Sequence, residues 1–345
     1  EMPDLRETHI LDRGHYENRG EVVNRATPAV LTSFPNGAPL DRLGLASWLT
    51  SSDHPLLARV TVNRYWQMIF GRGLVSTSED FGMQGKPPSH PELLDWLSRD
   101  FIKSGWNLHH LLKKMVLSHT YRQQSKILPN AQEIDPENLL LSRAPAYRLP
   151  AEMIRDSLLA HSGLLHKKIG GPGAKPYDLK VSFKPINPDG APNVYRRSVY
   201  TFWKRTGPTP VMMALDASKR DVCTVRRERT DSASQALIML NGTQFVETAR
   251  ATADILIQNH GTTNPNDLIQ EAFKKLTSRS PSEQESKILQ NLLEEQKKYF
   301  TDDKETEKFL KVGYYQAKAK DKKYLAAVTS LVSTLMNFDG TLSKR

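Results

Sequence analysis

The sequence predicts a mainly α-helical globular protein with one small β element. Apolar residues recur at intervals of three and four along most of the chain, and glycine, proline and helix-capping residues separate the segments that carry this period. Residues 193–206 instead alternate with a period of two and are rich in aromatic and β-branched side chains, which favours a strand or extended segment. The predicted fold class is therefore mainly α, a multi-helix globular domain with a small β element around residues 193–206.

The first forty residues differ in character from the rest of the chain. Residues 1–40 are polar and interrupted by glycine and proline, so they are predicted to form an N-terminal arm or linker. The helical period begins near residue 41 and continues to the C-terminal region. Residues 41–345 are therefore predicted to form a single helical domain, with a soft boundary near residues 170–190.

Two helices are predicted first after the arm. A short one covers residues 43–49, and a longer one covers residues 56–70. Val60 and Met68 share the predicted apolar face of the longer helix, because they lie two turns apart. Gly71 follows its last residue, as glycine commonly does at a helix C-terminus.

The next two helices are predicted to form an antiparallel hairpin. Ser89 and Glu92 have the spacing of a capping box, which predicts a helix start with Ser89 as N-cap. Gly105 ends this helix, and Asn107 is placed to cap the next one. The short turn between two amphipathic segments favours antiparallel packing.

The second half of the chain begins with a helix that Pro150 is predicted to start. The glycine- and proline-rich residues 170–192 are predicted to form a long loop, a kind of segment that is often functional. The strand predicted over 193–206 needs a partner, which we expect near residues 177–185. Helices then resume, and Ser280 to Glu283 form a second predicted capping box with proline at the first helical position.

Charge and cysteine content exclude several classes of site. The net charge of +10 favours anionic partners such as sulfated polysaccharides, although it also serves simple solubility. Cys223 is the only cysteine, which excludes an internal disulfide, a cysteine-based metal site and a C-x-x-C-H haem attachment in this chain. No apolar run approaches the about 18 residues that a membrane span needs. Nucleic-acid binding is not expected, because no recognition motif accompanies the charge.

Several short segments together carry a family resemblance that covers residues 38–338. They are Asn63–Gln67, Phe70–Val75, Asp80–Gly85, His90–Leu97, Ser104–Trp106, Thr120–Gln123, Tyr195–Tyr200, Cys223–Arg227, Gln235–Leu237 and Leu240–Asn241. With these motifs the chain resembles the planctomycete-type domain of unknown function 1553.

The resemblance implies a setting but no reaction. Such domains usually lie at the C-terminus of large exported proteins, often with an upstream cytochrome c module and in genomes rich in sulfatases. It therefore implies a periplasmic or otherwise extracytoplasmic location and upstream domains of the same polypeptide as partners. No cofactor is expected in these residues, and a haem c would belong to an upstream module. The family brings no established catalytic residues to this sequence.

The densest chemical feature is a set of arginines among aromatic residues. Guanidinium groups match sulfate, phosphate and carboxylate, and aromatic faces can stack on sugar rings. These side chains are therefore candidates for binding an anionic ligand, and the alternative is that they tie loop carbonyls and acids together. The predicted ligand-binding residues are Arg196, Arg197, Tyr200, Arg205, Arg226 and Arg227.

Candidate catalytic residues are fewer and more scattered. Asp80, His90, Glu152 and Asp156 have side chains that can act as acids or bases, but each also fits a helix-cap or ion-pair role. Glycoside hydrolysis would require two carboxylates that face each other about 5–10 Å apart. The histidine spacings place no ligand pair on one helix face, so no metal site is predicted.

These observations favour an accessory extracytoplasmic module of a larger, cytochrome-linked protein. It would bind an anionic ligand, with polysaccharide as the expected class, through its arginine and aromatic surface. The alternative is a carbohydrate-active hydrolase or lyase that uses acids and arginines from separate motifs.

Overall fold

Helices dominate the computed structural model, which describes residues 6–127, 129–181, 185–204, 207–261 and 264–344. Within these ranges the paired strands form only two small antiparallel sheets of two strands each. The predicted fold class, mainly α with a small β element, is confirmed. No helix of the described ranges is both long and apolar enough to cross a bilayer. The chain divides into two compact units, unit 1 (Glu1–Pro145) and unit 2 (Ala146–Arg345).

Unit 1 combines a β-hairpin with a helical core. Its elements are β1 (Thr8–Leu11), β2 (Arg19–Val23), α1 (Arg42–Leu49), α2 (Leu57–Phe70), α3 (Pro91–Lys103), α4 (Leu108–Leu117), α5 (His119–Arg122) and α6 (Pro129–Ile134). The core lies between α2, α3 and α4, where Val62, Leu97 and Leu111 are buried.

The face that α2 buries differs from the predicted one. Trp66 and Phe70 turn inward and stack with their ring centroids 3.9 Å apart, whereas Met68 is 62% exposed. Two stacked aromatic rings bury more apolar area than the predicted aliphatic face would, and this decides the rotation of the helix. The predicted end of α2 is correct, because Gly71 adopts a left-handed conformation with φ of 81°.

Of the two capping residues predicted for the α3–α4 hairpin, Asn107 is confirmed and Ser89 is wrong. Asn107 caps α4 as predicted, since its side chain accepts a hydrogen bond from the His110 amide at 3.0 Å. The capping box at Ser89 is wrong: His90 is the N-cap of α3, and its side chain makes no capping bond. The Ser89 amide donates to the Leu74 carbonyl at 2.8 Å, and this hydrogen bond holds Ser89 in the loop that precedes α3.

Unit 2 is built around two buried helices. Its elements are β3 (Tyr147–Arg148), α7 (Ala151–His161), α8 (Pro210–Ala214), α9 (Ala233–Asn241), α10 (Thr243–His260), α11 (Pro265–Thr277), α12 (Glu283–Tyr299), α13 (Asp303–Leu310), α14 (Lys322–Met336), α15 (Asp339–Leu342) and β4 (Ser343–Lys344). Helices α10 and α14 contribute fully buried alanines to the core, among them Ala249, Ala253, Ala326 and Ala327. Small side chains allow two helices to approach closely.

The capping box predicted at Ser280 lies two residues further along the chain. Ser282 is the N-cap of α12, where its side chain accepts from the Glu285 amide while the Glu285 side chain accepts from the Ser282 amide. The predicted motif was therefore of the right kind but in the wrong register.

Residues 193–204 form an extended path with little regular pairing. Two 3₁₀ turns (Asn193–Tyr195 and Ser198–Tyr200) flank Arg196, which forms an isolated parallel bridge with His166, and Thr201 forms another with Ala174. The strand partner predicted near residues 177–185 is wrong for Tyr177–Val181, which is a 3₁₀ helix, and residues 182–184 lie outside the described ranges. The regular strands β3 and β4 pair elsewhere in unit 2. Residues 205 and 206 lie outside the described ranges.

Candidate functional site

Arg196 is a buried brace for the glycine- and proline-rich loop. Its side chain is directed at backbone carbonyls: Nη1 donates to Pro172 O at 2.8 Å, and Nη2 donates to Gly170 O at 2.6 Å. The guanidinium lies 4.1 Å from the centroid of the Tyr200 ring, and the Tyr200 hydroxyl accepts from the Gly170 amide. Arg196 is only 3% exposed. Two of the predicted binding residues, Arg196 and Tyr200, therefore hold the loop in shape.

A second buried arginine, from α7, holds the turns that flank Arg196. Arg155 Nη2 donates to Val194 O, and Nη1 donates to Arg196 O, both at 2.8 Å. Burial lowers the pKa of Arg155, and the neighbouring Asp156 carboxylate opposes this shift. Asp156 itself accepts from the Ser198 amide at 2.8 Å and from the Ser198 hydroxyl at 2.7 Å. This candidate acid is thus an acceptor for the turn at Ser198.

Several arginines lie around the N-terminal end of α7. Arg227 Nη1 donates to Glu152 Oε2 at 2.6 Å, and the Arg229 guanidinium lies 4.4 Å from the centroid of the Tyr147 ring. Arg148 donates to the Asp231 carboxylate at 2.8 Å. These contacts bring β3, the start of α7 and the loop after α8 together. We call Tyr147, Arg148, Arg226, Arg227 and Arg229 the arginine patch.

Positive charges lie close together in the arginine patch. The pKa of Arg229 is lowered, first by burial and further by the nearby Arg227 cation, while the Tyr147 phenol opposes the shift. Arg226 is exposed and forms no ion pair with an acid of the described ranges. Arg227 and Arg148 pair with Glu152 and Asp231 respectively. Neighbouring guanidinium cations such as Arg227 and Arg229 raise the local positive potential, which attracts an anion.

The remaining predicted binding residues lie apart from this patch or outside the described ranges. Arg197 is exposed on the extended segment of unit 2, next to the buried Arg196. Arg205 falls outside the described residues. Arg226 and Arg227 are sequence neighbours in the exposed loop after α8, whereas Arg196 and Tyr200 hold the glycine- and proline-rich loop.

The four candidate catalytic residues each serve a local contact. Asp80 Oδ1 accepts from the Gly82 amide at 2.7 Å, and His90 Nδ1 lies 3.0 Å from the Ser89 hydroxyl, both in unit 1. In unit 2, Glu152 and Asp156 are one helical turn apart, and they contact Arg227 and Ser198 respectively. These contacts join none of the three carboxylates to another.

Helix α10 carries a buried acid that the sequence analysis did not single out. Glu247 is fully buried and accepts from the hydroxyls of Tyr195 at 2.7 Å and Tyr177 at 2.9 Å. It also accepts from the amides of Tyr314 at 2.5 Å and Tyr315 at 2.7 Å. One carboxylate therefore holds the turns around residues 177 and 195 and the segment before α14.

Two further charged residues of α10 contact the same segment. Arg250 Nη2 donates to Val312 O and Tyr315 O, both at 2.7 Å. Asp254, also fully buried, accepts from the amides of Lys318 at 2.9 Å and Ala319 at 2.8 Å. Positions 247, 250 and 254 lie on one helix face. Their signal in the sequence is three charges with helical spacing inside an otherwise apolar, alanine-rich segment.

A family model described as "Protein of unknown function (DUF1553)" matches residues 41–293. The match covers well over half of the chain and runs through motifs of both units. The chain belongs to this DUF1553 family. No curated protein matches the DUF1553 chain, and no solved structure matches it.

The family match includes the sites described above. The arginine patch and the α10 residues Glu247, Arg250 and Asp254 lie inside the matched span, whereas the 312–319 segment lies beyond it. Across the described residues of this DUF1553 chain, no group of three histidine, cysteine or acidic side chains is arranged to hold a metal ion.

Proposed function

We propose that this DUF1553 chain is an accessory module that binds an anionic polysaccharide through the arginine patch of unit 2. The observation that carries the proposal is the position of Arg227 close to Arg229, which lies over the Tyr147 ring, with the exposed Arg226 next to Arg227 in the chain. A guanidinium can donate two parallel hydrogen bonds to a sulfate or carboxylate.

The accessibility of these side chains supports the same site. The Arg227 side chain is 41% exposed, and its partner Glu152 occupies only part of its five N–H donors. Arg226 is exposed beside it. A polyanion can therefore approach without displacing a buried contact, which it could not do at Arg196.

The accessory role follows from what the candidate acids do. Glu152 and Asp156 hold Arg227 and the turn at Ser198, so a change in either carboxylate during a reaction would disturb the fold around it. The extracytoplasmic location and the link to a cytochrome-containing protein are part of the proposal and rest on the family. The net charge of +10 adds long-range attraction for a polyanion.

Binding to a sulfated polysaccharide, a uronate polymer and a neutral polysaccharide tests the proposal. Isothermal titration calorimetry would be run at low and at physiological ionic strength. We expect the two anionic polymers to bind and the neutral one to bind far less. The double variant Arg226→Ala/Arg227→Ala should lose about tenfold in affinity, because each lost charged contact contributes about 0.5–1 kcal/mol at an exposed site.

A matched control separates the patch from the overall charge. Arg279, outside the arginine patch, also lies over an aromatic ring and pairs with a glutamate, and Lys297 pairs with Glu294. The double variant Arg279→Ala/Lys297→Ala removes the same charge and should retain affinity. Equal losses in the two double variants would show that net charge alone attracts the polymer, and the patch would then be rejected.

A further inference from the structure

A mostly apolar groove opens on unit 1, and none of the residues discussed as a binding candidate lines it. Its volume is 620 Å³, and it lies along α3 and α4. Trp66, which is almost fully buried, and Trp96, which is 53% exposed, contribute indole surface to it. Leu97 and Met115 add aliphatic surface. A groove of this size and composition is typical of sites for small molecules.

The polar side chains of the groove are mainly basic. Lys114 Nζ lies 4.6 Å from the centroid of a Trp96 ring and 2.7 Å from Asp100 Oδ2. His110 Nε2 lies 3.0 Å from the same carboxylate oxygen. The hydrogen bond from Lys114 lowers the pKa of Asp100, and His110 adds to this effect. Asp100 therefore fixes two basic side chains at the groove.

Lys113 gives the groove its positive excess. It lines the groove, is exposed, and forms no ion pair with any acid of the described ranges. None of the described residues that line the groove is acidic, and Asp100 beside it already contacts Lys114 and His110. A ligand with a negative charge at one end would find its counter-charge at Lys113.

We propose that this groove binds a small, flat aromatic molecule that carries one carboxylate. The indole faces and aliphatic walls fit an aromatic ring, and the exposed Trp96 allows it to stack. A sugar chain would need many hydrogen-bond partners, which the mostly apolar lining does not offer. This site is independent of the arginine patch: it lies in the other unit and takes a different class of ligand.

Calorimetric titration of the 345-residue chain with 2-naphthoate and with neutral 2-acetylnaphthalene tests the proposal. The two probes share a ring system and differ in charge. We expect 2-naphthoate to bind about threefold to fivefold more tightly than the ketone, as an exposed charge contact provides. Trp96→Ala should weaken the binding of both probes by about tenfold or more, because it removes the stacking surface.

Two charge-reversal variants locate the anion end of the ligand. Lys113→Glu should weaken binding of 2-naphthoate by about tenfold and leave the ketone unaffected. Lys103→Glu is the matched control, since Lys103 is exposed on α3 and does not line the groove. It should change neither affinity by more than about twofold. Circular dichroism melts would verify that the variants fold.

Four results would overturn the proposal. Equal affinity for the acid and the ketone would show that Lys113 does not bind the carboxylate. Equal effects of the two charge reversals would show that the overall charge of the chain, and not Lys113, attracts the anion. Binding that Trp96→Ala leaves unchanged, or no binding of either probe, would reject the groove as the site. None of these results depends on whether a polysaccharide binds to unit 2.

Discussion

Replacing Glu247 by alanine removes an acceptor that four donors of unit 2 share. The hydroxyls of Tyr177 and Tyr195 and the amides of Tyr314 and Tyr315 all donate to this carboxylate, which has no exposed surface. Alanine offers these donors no acceptor. The variant therefore tests whether the charged row of α10 holds the fold of unit 2 together.

The expected loss is about 4 kcal/mol of unfolding free energy. Leaving one buried donor without an acceptor costs about 1–3 kcal/mol, and four donors at the low end of that range give this figure. Water that enters the space left by the side chain keeps the cost near the low end. Glu247→Gln should cost only about 1–2 kcal/mol, because an amide oxygen at the Oε1 position still accepts from Tyr195, Tyr314 and Tyr315.

Urea denaturation followed by circular dichroism would measure the loss, and hydrogen exchange would locate it. Amides of the peptide spanning residues 312–319 should exchange much faster in Glu247→Ala than in Glu247→Gln. A loss below about 1 kcal/mol for the alanine variant would refute the reasoning. So would equal losses for alanine and glutamine, since size rather than hydrogen bonding would then be decisive.

Three further predictions concern the same unit. Gly313→Ala should lower the thermal midpoint and cost about 2 kcal/mol or more, because Gly313 has a φ of 75° and an added Cβ would overlap the Glu247 carboxylate. Burial, with the Glu247 charge next, raises the pKa of Tyr177 above its ordinary value of 10.0, so the unfolded chain loses that proton first. Stability is therefore fully present below pH 10 and falls above it, and Tyr177→Phe should flatten this fall in urea midpoints measured across that range. The Arg279 hydrogen bond lowers the pKa of Glu285 from 4.5 to about 2, so its stabilisation is present above pH 4.5 and is lost as the pH falls towards 2. Glu285→Gln should remove that acid-side slope, which amounts to about 1 kcal/mol after screening at this partly exposed pair.

Local signals in the sequence predicted local structure well. Gly71 ends α2 and Asn107 caps α4, because a left-handed C-terminus and an N-cap depend on a few neighbouring atoms. The helical period found most of the helices for the same reason. Ser89 shows the limit of such signals: its amide is bound to Leu74, fifteen residues upstream, and no spacing rule includes that contact.

The extended segment could not be placed from its alternating pattern. Val194, Tyr195 and Arg196 are all buried in succession, so the apparent two-residue period does not separate an inner from an outer face. The cause is Arg155, about forty residues upstream, whose guanidinium donates hydrogen bonds to the carbonyls of residues 194 and 196. Tertiary hydrogen bonds therefore replace the ladder that a strand would have made.

The candidate site was only partly readable from the sequence. Arg196 and Arg227 look equivalent there, since both lie in arginine-rich motifs with apolar or aromatic neighbours. Their difference depends on partners that are distant in sequence: loop carbonyls for Arg196, and Glu152 for Arg227. The charged residues of α10 are visible in the sequence. Their role depends on contacts with the segment that follows α13, and the sequence does not show those contacts.

Helix α10 binds residues 312–319 mainly through the backbone of that segment, and most of its side chains take no part in these contacts. Its acids accept from the peptide N–H groups of residues 314, 315, 318 and 319, and Arg250 donates to the carbonyls of residues 312 and 315. Substitutions at exposed positions such as Gln316 therefore leave the backbone contacts of the segment intact. Proline at any of the four donor positions is forbidden, however, since it lacks the N–H that the helix recognises.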